Sequence, residues 1–241
     1  MAIKSDKIIQ VWDCKDVVEK APKYDSLDKE KCKEDFSSKS SPMKDYKFDC
    51  DGKEPSAICC SWLPSDSNLF VIGFKSSHVA FFDYNSGNVE ITHEFYPGVE
   101  EEGEVACIDA HELQPHILTG HLNGEFNIFD YKQKKVILTT DCLSDEQERK
   151  EGVYIQAIKY FNNCSSIIVG KSNGNINLYD SAGALLNVIE KAHTPKYDEG
   201  VNCLLNIQNS AGSLKSEGST SNMPFFISGG ADGCMKIFEH T

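Results

Sequence analysis

Long apolar runs are missing from this sequence of 241 residues. No window of about 18 consecutive apolar residues exists, which excludes a transmembrane helix. The opening segment MAIKSDKIIQ has no apolar stretch of the signal-peptide kind, so the expected location is cytoplasmic, without membrane insertion. Basic residues are in deficit: 24 Lys and Arg stand against 37 Asp and Glu, for a formal net charge of −13. Such a surface repels a phosphate backbone, so nucleic acid is not an expected partner. Helical periodicity is lacking too, since no window of helical length carries a sustained apolar stripe.

The absences extend to chemistry. The ten cysteines include no C-x-x-C pair and no Cys/His cluster with zinc-finger spacing, so they read as buried thiols of a reducing compartment. The motifs G-x-S-x-G and G-K-[ST] do not occur. His111 and His116 flank a turn at a spacing that suits neither a helix face nor a known metal cluster. Cys107 and His111 form a nucleophile pair on paper only, because strand alternation puts Cys107 in the core. The run Glu100, Glu101, Glu102 and Glu104 reads as a solvated loop, or as an acidic docking loop. No catalytic residue, metal ligand or cofactor is expected.

What the sequence does contain is a repeat. The cassette GFKSSHVAFFD (73–83) recurs as GHLNGEFNIFD (120–130), GKSNGNINLYD (170–180) and GGADGCMKIFE (229–239). Each copy opens on glycine (Gly73, Gly120, Gly170, Gly229) and closes on an aromatic followed by an acid. KSDKIIQVWD (4–13) fits the last part of the same frame. Short β-branched runs precede each glycine, and Asn123-Gly124, Asn173-Gly174 and Asp232-Gly233 supply tight-turn signals. The cassettes therefore predict hairpins at 69–83, 116–130, 166–180 and 225–239. Further apolar runs at 57–64, 105–112, 155–161 and 201–208, with a fourth candidate between cassettes, make four strands per unit. Units recurring at roughly 50 residues are a propeller signature. The expected fold is all-β, a partial β-propeller of about four four-stranded blades over 55–241. Residues 1–13 would be the last strand of an incomplete blade, 14–54 a charged loop, and 209–224 a flexible loop.

The Trp12-Asp13 ending, the Asp-Gly turn of GGADGCMKIF, and His93 and His193 before strand starts resemble WD-repeat proteins. The unit order over 55–241 is similar to the C-terminal WD-repeat region of the striatin family. It runs through PSAICCSWLPSDSNLFVIGFKSSHVAFFDYNSGN, VACIDAHELQPHILTGHLNGEFNIFDYKQKKVI, then KAHTPKYDEGVNCL with FFISGGADGCMKIF. In WD repeats a Trp, Ser/Thr, His and Asp form a buried hydrogen-bonded tetrad. The resemblance maps His193, Ser228 and Asp232 onto it, with Phe238 in place of Trp; the alternative is that His193 is an exposed loop residue. The unit at 105–131 keeps Thr119 but has Asn123 for the turn Asp, and the unit at 155–180 has Val169 and Asn173.

What the resemblance implies is a non-catalytic scaffold, the propeller part of a regulatory subunit of a type-2A protein phosphatase–kinase assembly. The alternative is a generic WD-repeat adaptor, in a ubiquitin ligase or a ribonucleoprotein. A propeller hydrolase would repeat Asp, Glu or His at the first strand of each blade, where Ala57, Val105, Ile155 and Val201 stand instead. Lys75, His78, His121, Asn173 and Asp232, at or near turn tips, are the candidate partner-facing residues. A seven-bladed ring needs roughly 280–320 residues. The chain is thus expected to be part of a larger propeller, or closed by another chain.

Overall fold

β-Branched and aromatic runs separated by Gly, Asn and Asp turns become strands, because such side chains pack well on a pleated, half-buried surface. The computed structural model describes residues 2–4, 8–11, 44–47, 56–97, 103–143, 146–207 and 224–239. The chain divides into two compact units, Met1–Ala57 and Ile58–Thr241.

In the first unit β1 (Ala2–Lys4), β2 (Ile8–Val11) and β3 (Lys44–Lys47) form an antiparallel sheet in that order. Ile9 registers against Ile3 on one side and Tyr46 on the other. β2 is thus a paired central strand, and β3 lies inside the segment whose charge predicts a loop. Trp12, Asp13 and the remainder of 14–54 lie outside the described residues.

The second unit is a succession of antiparallel sheets, each with its strands in chain order. The first is β4 (Ala57–Trp62), β5 (Leu69–Phe74), β6 (His78–Asp83) and β7 (Val89–Glu94). The second is β8 (Val105–Ala110), β9 (His116–His121), β10 (Glu125–Asp130) and β11 (Lys135–Asp141). A five-residue helix, α1 (Glu146–Lys150), precedes the third. That sheet is β12 (Ile155–Phe161), β13 (Ser166–Lys171), β14 (Ile176–Asp180) and β15 (Leu185–Ile189). Among the described residues the last has three strands, β16 (Val201–Ile207), β17 (Phe225–Gly230) and β18 (Met235–Glu239), where four are expected. His93 sits within β7 rather than ahead of a strand.

The units repeat in detail. Pairing of the first two strands slips between Val105 and Cys107, between Ile155 and Ala157, and between Val201 and Cys203. The two outer strands slip between Phe81 and Phe82, Ile128 and Phe129, and Leu178 and Tyr179, the same place after each cassette glycine. A bulge that recurs at one position sharpens the twist of each sheet alike. The hairpin turns take left-handed backbone at Gly124 (φ 82), Gly174 (φ 84) and Gly233 (φ 78), and at Ser77 (φ 57) where the first cassette lacks glycine.

Near-continuous apolar runs bury the inner strands of the first three sheets of the second unit on both faces, and neighbouring sheets close on each other. Val71, Val79 and Phe81 meet Val105, Ile108 and Phe129; Leu118, Phe126 and Ile128 meet Ile155, Ile158 and Val169; Ile168, Ile176 and Leu178 meet Val201, Leu204 and Phe226. The cassette glycines set the closeness of approach. A Cβ added at Gly73, Gly120 or Gly170 would lie 2.7, 2.6 or 2.5 Å from Val105, Ile155 or Val201 of the following sheet. At Gly229 it would meet Cys203 of its own sheet alone among the described residues. The same face of the last sheet leaves Leu205 58%, Met235 71% and Ile237 63% exposed, whereas Val71, Leu118 and Ile168 are fully buried.

Candidate functional site

The hairpin corners hold the polar side chains that sequence and structure both single out. His193 is fully buried, and its Nε2 lies 2.7 Å from Ser228 Oγ on β17 and its Nδ1 3.0 Å from Asp232 Oδ1 in the β17–β18 turn. A carboxylate accepts only, so Nδ1 carries the proton. Asp232 Oδ1 also accepts the Cys234 N–H at 3.0 Å and Oδ2 the Thr194 N–H at 3.2 Å. The hydrogen bond from His193, then these backbone donors, hold the Asp232 carboxyl well below the usual carboxylate range. Gly230 makes room for the ring, since a Cβ there would lie 2.2 Å from His193 Nδ1. The register sets Lys236, not Phe238, opposite Ser228. The three residues order a turn and satisfy one another, a structural task.

His121, expected at an exposed turn tip, is instead fully buried. It follows Gly120 on β9 and points to the same side as Thr119, two residues back, whose Oγ1 lies 2.9 Å from His121 Nε2. His121 Nδ1 donates to the Gly103 carbonyl at 2.9 Å. The hydrogen-bond logic of His193 is therefore repeated, with a carbonyl for the carboxylate and Thr119 in the place of Ser228. Burial pushes the His121 imidazole down to about 4, against the raising effect of the Gly103 carbonyl, so the ring is neutral at pH 7.

In the third sheet the residue after the glycine is Lys171, also fully buried. Its Nζ donates to both carboxylate oxygens of Glu148 at 2.7 and 2.9 Å and to the Cys142 carbonyl at 3.4 Å. Asn173 Nδ2 donates to Glu148 Oε1 at 2.7 Å. Sequence reasoning missed this pair, because Glu148 sits in an insertion with no counterpart in the other units. One corner thus carries different polar fillings in successive sheets.

Of the other turn residues proposed to face a partner, Lys75 is exposed. His78 is half-buried, with Nδ1 against the Ser76 carbonyl and Nε2 3.7 Å from Glu94. Asn173 and Asp232 are half-buried and spend their side chains on turn formation: Asn173 Oδ1 accepts the Asn175 N–H at 3.1 Å. Glu100, Glu101 and Glu102 lie outside the described residues.

Several concavities border the first strands and the sheet junctions, one of them, of about 320 Å³, at Asp109, Lys159 and Tyr160. Beside the bulges, Ile58, Ala106, Gln156 and Asn202 line another of about 370 Å³, together with Glu104 and Glu199. A third, of about 520 Å³, opens between the ends of the second and third sheets at His111 and Tyr160. His111 Nδ1 accepts the N–H groups of Leu113 and Gln114, each at 3.1 Å, which occupies that nitrogen. The rings of His111 and His116 stand edge to face at 5.9 Å. Among the described residues no group of three His, Cys, Asp or Glu side chains is placed to hold a metal ion. Burial pushes the Cys107 thiol far up, out of the thiolate range. A comparison with protein-family models found no match for this chain, and a search of curated proteins found none either.

Proposed function

We propose that the chain is a non-catalytic protein-docking module of the WD-repeat type, the propeller part of a striatin-like scaffold that gathers a type-2A protein phosphatase and kinases in the cytoplasm. The observation that carries this reading is the corner His193–Ser228–Asp232, a buried hydrogen-bonded trio on a Gly-led hairpin. Support comes from the succession of blade-like sheets with bulges and glycines at matching places. Such sheets bring many loops to one end, which suits docking of other proteins. The net charge of −13 directs the choice of partner away from nucleic acid.

The test is affinity purification with the whole chain as bait, followed by mass spectrometry. Recovery of type-2A phosphatase subunits together with germinal-centre kinases supports the assignment. Recovery of ubiquitin-ligase or ribonucleoprotein subunits in their place overturns it in favour of a generic adaptor.

A further inference from the structure

We propose that the cleft between the ends of the second and third sheets binds a free, uncharged small molecule, one with an apolar body and an oxygen that accepts a hydrogen bond. Its volume, about 520 Å³, is in the range of ligand pockets. Ile128, Ile137 and Leu138 are among its apolar lining residues, and Tyr160, His111 and Cys164 among its polar ones. No Lys, Arg, Asp or Glu is among its lining residues. Apart from its histidines the cleft offers a charged ligand no counter-ion, which selects for a neutral one.

A second and independent observation points to an acceptor. Tyr160 is only 5% exposed, and its hydroxyl is buried without a hydrogen-bond partner among the described residues. Leaving such a donor unpaired is unfavourable, and a ligand oxygen that pairs with it removes the penalty. His111 adds a donor. With Nδ1 accepting two backbone N–H groups, its proton is on Nε2. Burial first, and then His116, hold His111 below its ordinary range, so the ring meets the ligand uncharged. Burial likewise keeps the Cys164 thiol protonated, which makes the cleft a binding site without thiolate chemistry. The wall at Cys164 belongs to a turn in which Asn162, Asn163 and Cys164 all adopt left-handed backbone (φ 51, 53 and 64), a costly conformation for three side-chain-bearing residues.

The proposal stands apart from the docking reading, and its test is selective. The whole chain, labelled with ¹⁵N, is titrated with acetophenone, with α-methylstyrene (the same shape without the acceptor) and with benzoate. Acetophenone is expected to shift the amides around His111 and Tyr160 with a dissociation constant in the millimolar range, as its size dictates. α-Methylstyrene should bind roughly five- to ten-fold more weakly, and benzoate not measurably. Tyr160→Phe should keep the fold, because the hydroxyl makes no bond among the described residues, and should abolish the preference for acetophenone. Ser181→Trp, at the exposed rim, should block both neutral probes. Equal binding of the two neutral probes by the unmodified chain, an unchanged preference in Tyr160→Phe, or no shifts at these residues would overturn it.

Discussion

His121 shows how one buried imidazole couples stability to pH. Its neutral ring accepts from Thr119 and donates to Gly103, and protonation would remove the acceptor that Thr119 uses. The folded value is about 4, while the unfolded chain titrates near the ordinary 6.5. The unfolded state therefore binds more protons between these two values, and stability falls as pH drops from 6.5 towards 4. Urea unfolding at pH 7.5 and at pH 5.0 should reveal about 2 kcal/mol of loss that the variant His121→Gln does not share. Equal pH dependence in both proteins would count against a neutral buried His121. The burial itself was readable, though exposure was the expectation. A His two residues after a Thr on a strand shares a face with that hydroxyl, and the turn begins only after it. His193 was easier, because the resemblance to WD repeats implied a buried trio with Ser228 and Asp232.

At the level of single elements, α1 depends on a strand for its place. Glu148 on this helix of five residues is fastened by Lys171 of β13, and a helix so short has no stability of its own. Lys171→Met should lower stability by about 3 kcal/mol, because a buried carboxylate loses its counter-charge. Amides 146–150 should lose hydrogen-exchange protection well before the strands do. Protection that stays uniform would mean that the insertion holds itself. The hairpins were legible because glycine, a turn dipeptide and alternating aromatics agree on their limits. β3 was not, since KDYK is mostly charged and only its pairing with β2 makes it a strand. The insertion between β11 and β12 was opaque for a related reason: its buried Glu148 answers a lysine that sequence alone places on any strand surface.

For the second unit as a whole, the defining property is that each sheet is seated on the next through a glycine. Val105, Ile155 and Val201 are fully buried over Gly73, Gly120 and Gly170. Burying each such side chain contributes about 1.5–3 kcal/mol. The all-β class and the repeat were legible from the spacing of the cassettes, whereas the number of strands in each sheet was not, because it depends on pairing partners rather than on composition. None of the four cassette glycines has a positive φ, so alanine is conformationally acceptable at each, and the cost of a methyl group reports packing alone. The most direct test is the urea stability of Gly120→Ala, Gly170→Ala and Gly229→Ala. Overpacking should cost about 2–3 kcal/mol at Gly120 and Gly170, and less than about 1 kcal/mol at Gly229, where the exposed Cys203 side chain can move aside. Equal costs at all three positions, or tolerance at Gly120 and Gly170, would contradict a succession of sheets seated on one another.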